Sequence, residues 1–125
     1  MRVEARAQRF PTEDVEKIKQ ALLNIFPEGE VEVLDKEVRL RSESAEKLKE
    51  ILRNLRIRDT ARHVLRSGRR GDVTEFRINK QVAYMGKVSF VESPVALGPI
   101  DVLIEDEDIE DVIDDIAPST VEVEE

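Results

Sequence analysis

Cysteine and tryptophan are absent from these 125 residues, and histidine and tyrosine occur once each. Without cysteine there is no disulfide and no thiolate metal site, and neither redox compartment is favoured. Aromatic residues make up only 4% of the chain, so a core has to be assembled from Val, Ile, Leu and Ala. A row of exposed aromatics of the kind that reads single-stranded bases is correspondingly thin. No apolar run approaches the ~20 residues that cross a membrane. Arg2, Glu4, Arg6 and Arg9 also interrupt any signal-peptide core. These absences predict a soluble, cytoplasmic protein without a membrane partner. One further absence is local: beyond Lys87 there is neither lysine nor arginine.

That gap exposes a segregation of charge which the net value of −8 conceals. Residues 1–52 are close to balanced. Residues 53–87 hold 10 Lys and Arg against 3 Asp and Glu, and residues 88–125 hold 13 acidic residues and no basic one. Fields act over about a Debye length, ~8–10 Å, so such blocks matter more than the total. A charged fraction of 38% without Cys or Trp also suggests a heat-adapted surface laced with ion pairs.

Periodicity supplies the elements. Val3, Ala5 and Ala7 alternate with Glu4, Arg6 and Gln8, which predicts a half-buried strand ending at Pro11. Thr12 stands where an N-cap belongs, and Val15, Ile18, Leu22 and Ile25 follow at helical spacing up to Pro27. Val31-Val33 and Val38-Leu40 flank Asp35-Lys36 as a hairpin. Ser42 or Ser44 caps a helix striped by Leu48, Ile51, Leu52 and Leu55. Asp59 or Thr60 can cap a shorter one over Ala61, Val64 and Leu65, closed by Ser67-Gly68, a glycine being able to take positive φ. Strands are predicted at 73–78, at 82–90 with a bulge at Gly86, and at 100–104, where Leu103 faces away from Val102 and Ile104. Ser93-Pro94 and Gly98-Pro99 bracket a loop. A last helix buries Ile109, Val112, Ile113 and Ile116 before Pro118. The order β-α-β-β-α-α-β-β-β-α predicts an α+β domain with helices on one face of a largely antiparallel sheet.

Arginines 58, 62, 66, 69 and 70, introduced by Arg53 and Arg56 and followed by Lys80, make the chief candidate site. Guanidinium groups are permanent forked donors suited to phosphate. Arg62 and Arg66 lie one turn apart on a helix, whereas Gly68 and Gly71 give Arg69 and Arg70 freedom to adapt. Against this stands a solvated basic face neutralised by the acidic C-terminal helix of the same chain. Asn79, Lys80 and Gln81 could contact a base edge, ribose or phosphate, or could simply form a turn. His63 has no Cys or second His beside it, and Asp59 at i−4 reads as an ion-pair partner, so no catalytic residue is assigned. The carboxylates between Asp106 and Asp115 could hold magnesium but lack EF-hand spacing, and they fit a solvated helix face better. No phosphate loop is present.

Several pieces, PTEDVEKIKQALLNIFP at 11–27, RDTARHVLRSG at 58–68, NKQVAYMGKVSF at 79–90, LGPIDVLIE at 97–105 and DDIAP at 114–118, resemble a family of small uncharacterised archaeal proteins of the UPF type. With the first strand they cover essentially residues 1–118. The resemblance implies an α+β fold like that of the large-subunit ribosomal protein that binds 5S rRNA, and it supplies no activity, cofactor or metal. It draws attention to Asp59, Thr60, Ala61 and Arg62 and to Asn79, Lys80 and Gln81. Arg69, Arg70 and a longer acidic tail depart from the family pattern.

The resulting expectation is a single two-layer α+β domain over residues 1–118 with an acidic tail at 119–125. It would be a non-catalytic protein that associates with structured or ribosomal RNA. Arg58, Arg62, Arg66, Arg69, Arg70 and Lys80 would grip phosphates, and Asp59, Thr60, Asn79 and Gln81 would add polar contacts. The rival is a protein-interaction module or homo-oligomeric assembly factor that joins the basic strip to an acidic C-terminal helix. A metal-dependent nuclease ranks third. One geometric fact separates a binding strip from a structural one: whether the 106–115 carboxylates pack over it.

Overall fold

The computed structural model describes residues 1–92 and 98–120. Its order is β1 (Arg2–Gln8), α1 (Val15–Ile25), β2 (Glu30–Val33), β3 (Glu37–Ser42), α2 (Glu46–Asn54), α3 (Arg58–Ser67), β4 (Arg69–Arg70), β5 (Val73–Asn79), α4 (Lys80–Tyr84), β6 (Pro99–Glu105) and α5 (Ile109–Ile116). The six strands form one sheet in the order β2-β3-β1-β6-β5-β4, antiparallel at each pairing. This is the expected α+β architecture.

The period of two in each strand sorts the sheet into two faces. Val3, Ala5, Ala7, Val38, Leu40, Ile78, Ile100, Val102 and Ile104 are buried in one core with Ile18, Leu22 and Ile25 of α1, Leu48 and Leu52 of α2, Leu65 of α3 and Ile109 and Ile113 of α5. Sealing each such aliphatic side chain from water stabilises the fold by about 1.5–3 kcal/mol. The opposite face carries Glu4, Arg6, Arg39, Arg41, Glu75, Arg77, Asp101 and Leu103, and among the described residues no helix lies over it. Leu103 faces away from the core as expected. Among the described residues no helix is long and apolar enough to cross a membrane.

Three local expectations fail for identifiable reasons. The strand expected at 82–90 is replaced by α4, a turn at Gly86 (φ 78°) and a single bridge between Ile78 and Phe90. The Asn79 side chain accepts from the Val82 N–H at 2.9 Å, and this cap turns the chain into a helix where alternation alone suggested a strand. At α1 the cap is Asp14, which accepts from Glu16 N–H at 2.9 Å, in place of Thr12. At α3 neither Asp59 nor Thr60 caps; the helix starts at Arg58 without a side-chain cap. Gly68 has a negative φ of −88°, so positive φ is not why it is glycine. Ser44 does accept from Glu46 N–H at the start of α2. The bracketed loop at 93–97 and tail residues 121–125 lie outside the described residues.

Candidate nucleic-acid interface

The α3 stripe of Arg58, Arg62 and Arg66 follows from spacing by four, and β4 places Arg69 and Arg70 just beyond it. The glycines around that pair do not form a hinge. Arg69 and Arg70 pair with Thr74 and Val73 in a tight hairpin turned by Gly71, whose φ is 61°.

The acidic helix packs on this strip. Arg62 Nη1 donates to Asp114 Oδ1 at 2.6 Å and to the Ala117 carbonyl at 3.3 Å. Arg69 bonds Glu110, whose second oxygen lies 3.9 Å from Arg66. Lys49 on α2 reaches Asp115 at 2.8 Å. By the geometric criterion, Arg62, Arg66 and Arg69 are therefore tied to α5, and strip and acidic helix already meet within one chain. Such exposed pairs contribute little each, typically 0–1 kcal/mol, so they occupy the arginines without locking them.

Four arginines escape this neutralisation. Among the described residues Arg53, Arg56, Arg58 and Arg70 form no ion pair. Three of them share the corner between α2 and α3. There Arg56 takes φ 59°, the left-handed position ending α2, while Ile57 N–H donates to the Leu52 carbonyl at 3.1 Å. The free N–H groups of the uncapped α3 start face the same corner, and helix N-termini favour anions.

The other expected contacts scatter. Lys80 is a correction: it is buried, and Nζ donates to both Glu13 oxygens at 3.0 and 3.1 Å and to the Gln8 carbonyl at 2.9 Å. A cation sealed in that way is unavailable to phosphate. Asn79 is occupied as the α4 cap, whereas Thr60 and Gln81 are exposed. Asp59 does not orient His63; both its oxygens accept from Thr120, one from the hydroxyl and one from the N–H at 3.0 Å. The Thr120 hydroxyl and then its N–H hold the Asp59 carboxyl below the ordinary aspartate range. A lowered folded-state value means that the contact is complete above the unfolded value, about 4, and is lost as acid protonates the folded carboxylate. The 118–120 strap is thus expected to detach in acid, and Asp59→Ala, which removes both acceptors, to detach it at neutral pH. Hydrogen exchange of the Thr120 amide reads both; protection that persists in Asp59→Ala would refute the contact.

Arginines of the bare sheet face were not singled out from the sequence. Register puts Arg6 directly opposite Arg39 on one side and Asp101 on the other, and Asp101 opposite Arg77. Arg77 bonds Asp101 at 3.2 Å and Arg39 bonds Glu37 at 2.7 Å, which leaves Arg6 without an ion pair among the described residues. These side chains line a depression of about 660 Å³. The signal lay in the polar half of each alternating strand. Like charges directly opposite are unfavourable, but Glu4, Glu75 and Asp101 intersperse the row and make this face mixed, whereas Arg53, Arg56 and Arg58 at the α2–α3 corner have Asp59 beside them with its oxygens taken by Thr120.

A family model described as RNA binding matches residues 2–105, from the first residue of β1 to the last of β6, and stops short of α5. The chain belongs to this RNA-binding family. Two proteins similar to this chain are UPF0201 proteins. One, from Methanocaldococcus jannaschii, is 40% identical over 96% of this chain and 74% of its own length. The other, from Methanothermobacter thermautotrophicus, is 45% identical over 94% of this chain and 91% of its own. A crystal structure of the UPF0201 protein from Methanococcus jannaschii superposes with a TM-score of 0.89 at 42% identity, covering 97% of this chain and 96% of that one. The archaeal UPF resemblance of the quoted segments therefore holds. The relatives come from thermophilic archaea, in keeping with the charge-rich composition.

Proposed function

We propose that the protein binds structured RNA through its phosphate backbone and performs no chemistry on it. The observation that carries this reading is the cluster of unpaired arginines at the α2–α3 corner, Arg53, Arg56 and Arg58, with Arg70 across α3, in a chain of net charge −8. Elsewhere on the strip carboxylates ion-pair the arginines in cis; here the one carboxylate in the first turn of α3, Asp59, has both oxygens taken by Thr120. Family membership supports RNA as the polyanion, and the matched residues include this corner and leave out the acidic helix. Arg62, Arg66 and Arg69 of the expected grip can join only by exchanging Asp114 and Glu110 for phosphate, and Lys80 takes no part. The non-catalytic half of the proposal rests on Asp59, the one group that could orient His63, being engaged by Thr120 instead.

The test is binding of an RNA hairpin as salt is raised. Log affinity should fall linearly with log salt, by about 0.7–0.9 per phosphate engaged. Replacing Arg53, Arg56 and Arg58 together with glutamine should make the slope shallower by about 2–3. Arg62→Gln, removing a guanidinium already held by Asp114, should leave it unchanged. No binding at about 50 mM salt would sink the proposal.

A further inference from the structure

Large apolar side chains are rare on this surface. The exposed ones among the described residues are Met1, Val33, Tyr84 and Met85, and the last two are adjacent, at 42% and 72% exposure. They sit where α4 ends against α1, while α5 packs on α2 and α3. The ring is presented from a fixed backbone. Asn24 of α1 donates to the Ala83 carbonyl at 3.1 Å and to the Tyr84 carbonyl at 2.9 Å, satisfying the end of α4. Gln20 in turn donates to Asn24 at 2.6 Å. Gly86, at φ 78°, turns the chain back, and Val88 anchors it in the core. Of the chain's remaining aromatics, Phe26 and Phe76 are buried, Phe90 packs edge-on against Phe76 and Phe10 lies over Lys80. Tyr84 alone is offered to solvent as a flat face.

Its surroundings are cationic and polar. The Lys17 ammonium lies 5.9 Å from the Tyr84 ring centroid, and neither Lys17 nor Lys87 has a carboxylate partner among the described residues. Gln81, three residues before Tyr84 on α4, is exposed, and its amide has no partner among the described residues. A rigid π-face beside a flexible thioether, two unpaired ammonium groups and a free amide match the needs of an unstacked nucleotide. The base would lie on the ring, a phosphate on each lysine, and a donor-acceptor pair would meet a base edge.

We infer that Tyr84, Met85, Lys17, Lys87 and Gln81 form a second RNA contact, a stacking platform for an unpaired nucleotide, separate from the backbone-binding corner. The inference rests on the RNA-binding reading and adds the ligand class, structured RNA with an unpaired loop or overhang.

The sole tyrosine in a chain without tryptophan makes the test direct, since intrinsic fluorescence reports Tyr84 alone. Titration with an oligouridylate of about ten nucleotides, within the ~4–16 of single-strand sites, should quench that emission saturably. Changing Lys17 and Lys87 to glutamine should make the salt slope for the oligomer shallower by about 1.4. Affinity for the oligomer should survive Tyr84→Phe and fall roughly 5- to 150-fold in Tyr84→Ala, with thermal unfolding of both variants unchanged. Tyr84→Leu, which keeps apolar bulk without the π-face, should fall with alanine; if it binds like wild type, the patch is an apolar docking surface and the inference fails. It also fails if hairpin RNA binds with its expected salt slope while tyrosine emission and the alanine variant show nothing, which leaves the corner reading intact. Absence of binding to hairpin and oligomer alike fells both.

Discussion

Lys80→Ala should remove about 3–5 kcal/mol of folding stability, a large part of the 5–15 kcal/mol typical of a domain. The loss has a specific origin. The lysine and Glu13 side chains are 5% and 9% exposed, with Nζ at 3.0 Å from the carboxylate. The ammonium also donates to the Gln8 carbonyl and lies 5.4 Å from the Phe10 ring centroid, so one cation ties the end of β1 and the approach to α1 onto the start of α4. Truncating it leaves a carboxylate largely out of water with only the Phe10 N–H, at 3.2 Å, donating to it. An uncompensated buried charge is far more unfavourable than a missing pair. Lys80→Met combined with Glu13→Gln should consequently recover much of what Lys80→Ala loses, since neither charge then remains. Denaturant midpoints of the single and double variants form the cycle that measures this coupling. A loss below about 1 kcal/mol in Lys80→Ala would mean that water reaches the pair and that the site is an ordinary surface bridge.

The same lysine shows where sequence reading stops. Alternation and helical spacing exposed β1, α1, the β2–β3 hairpin, α2, β5, β6 and α5, because each is a local pattern that its own residues write. At residues 79–90 the local pattern misleads. Val82, Tyr84 and Val88 alternate well enough for a strand, and the helix that forms instead depends on Asn79 as cap, on Glu13 reaching Lys80 across the fold and on Asn24 receiving the far end. Two of these partners lie more than fifty residues away in sequence. Charge segregation was equally plain, yet its meaning was not. The distance between an arginine-rich helix and an acidic one is a tertiary quantity, and α5 proves to bring Asp114 and Glu110 onto Arg62, Arg66 and Arg69. The arginines left unpaired, at 53, 56, 58 and 70, are distinguished from their neighbours only by what they fail to touch. The exposed ring of Tyr84 was hidden for the same reason: nothing in its local sequence separates it from Phe76 or Phe90, which turn inward.

Gly68→Ala should be damaging as well, by about 3 kcal/mol or more, although its backbone conformation suits any residue. The obstacle is space. A β-carbon built on Gly68 would stand 2.0 Å from the Glu75 carbonyl oxygen and 3.1 Å from its carbon. The atoms in the way belong to a backbone that has nowhere to go. β5 is paired with β6 from Val73 to Asn79, and Glu75 N–H donates to the Gly68 carbonyl at 3.1 Å. One turn earlier, the buried Thr74 hydroxyl donates to the Leu65 carbonyl at 2.5 Å, so α3 is fastened to β5 on both sides of the glycine. A methyl group must therefore either part α3 from the sheet or shift a strand interior. Gly71 supplies the contrast: no atom lies within 4 Å of its β-carbon position, and its φ of 61° is the sole objection to a side chain. Gly71→Ala should consequently lose only about 1–2 kcal/mol, the usual penalty for a left-handed alanine. Urea midpoints that rank Gly68→Ala well below Gly71→Ala would establish close packing between α3 and β5. The reverse order would mean that the end of α3 stands off the sheet, and that the arginine hairpin behind it is held by its turn alone.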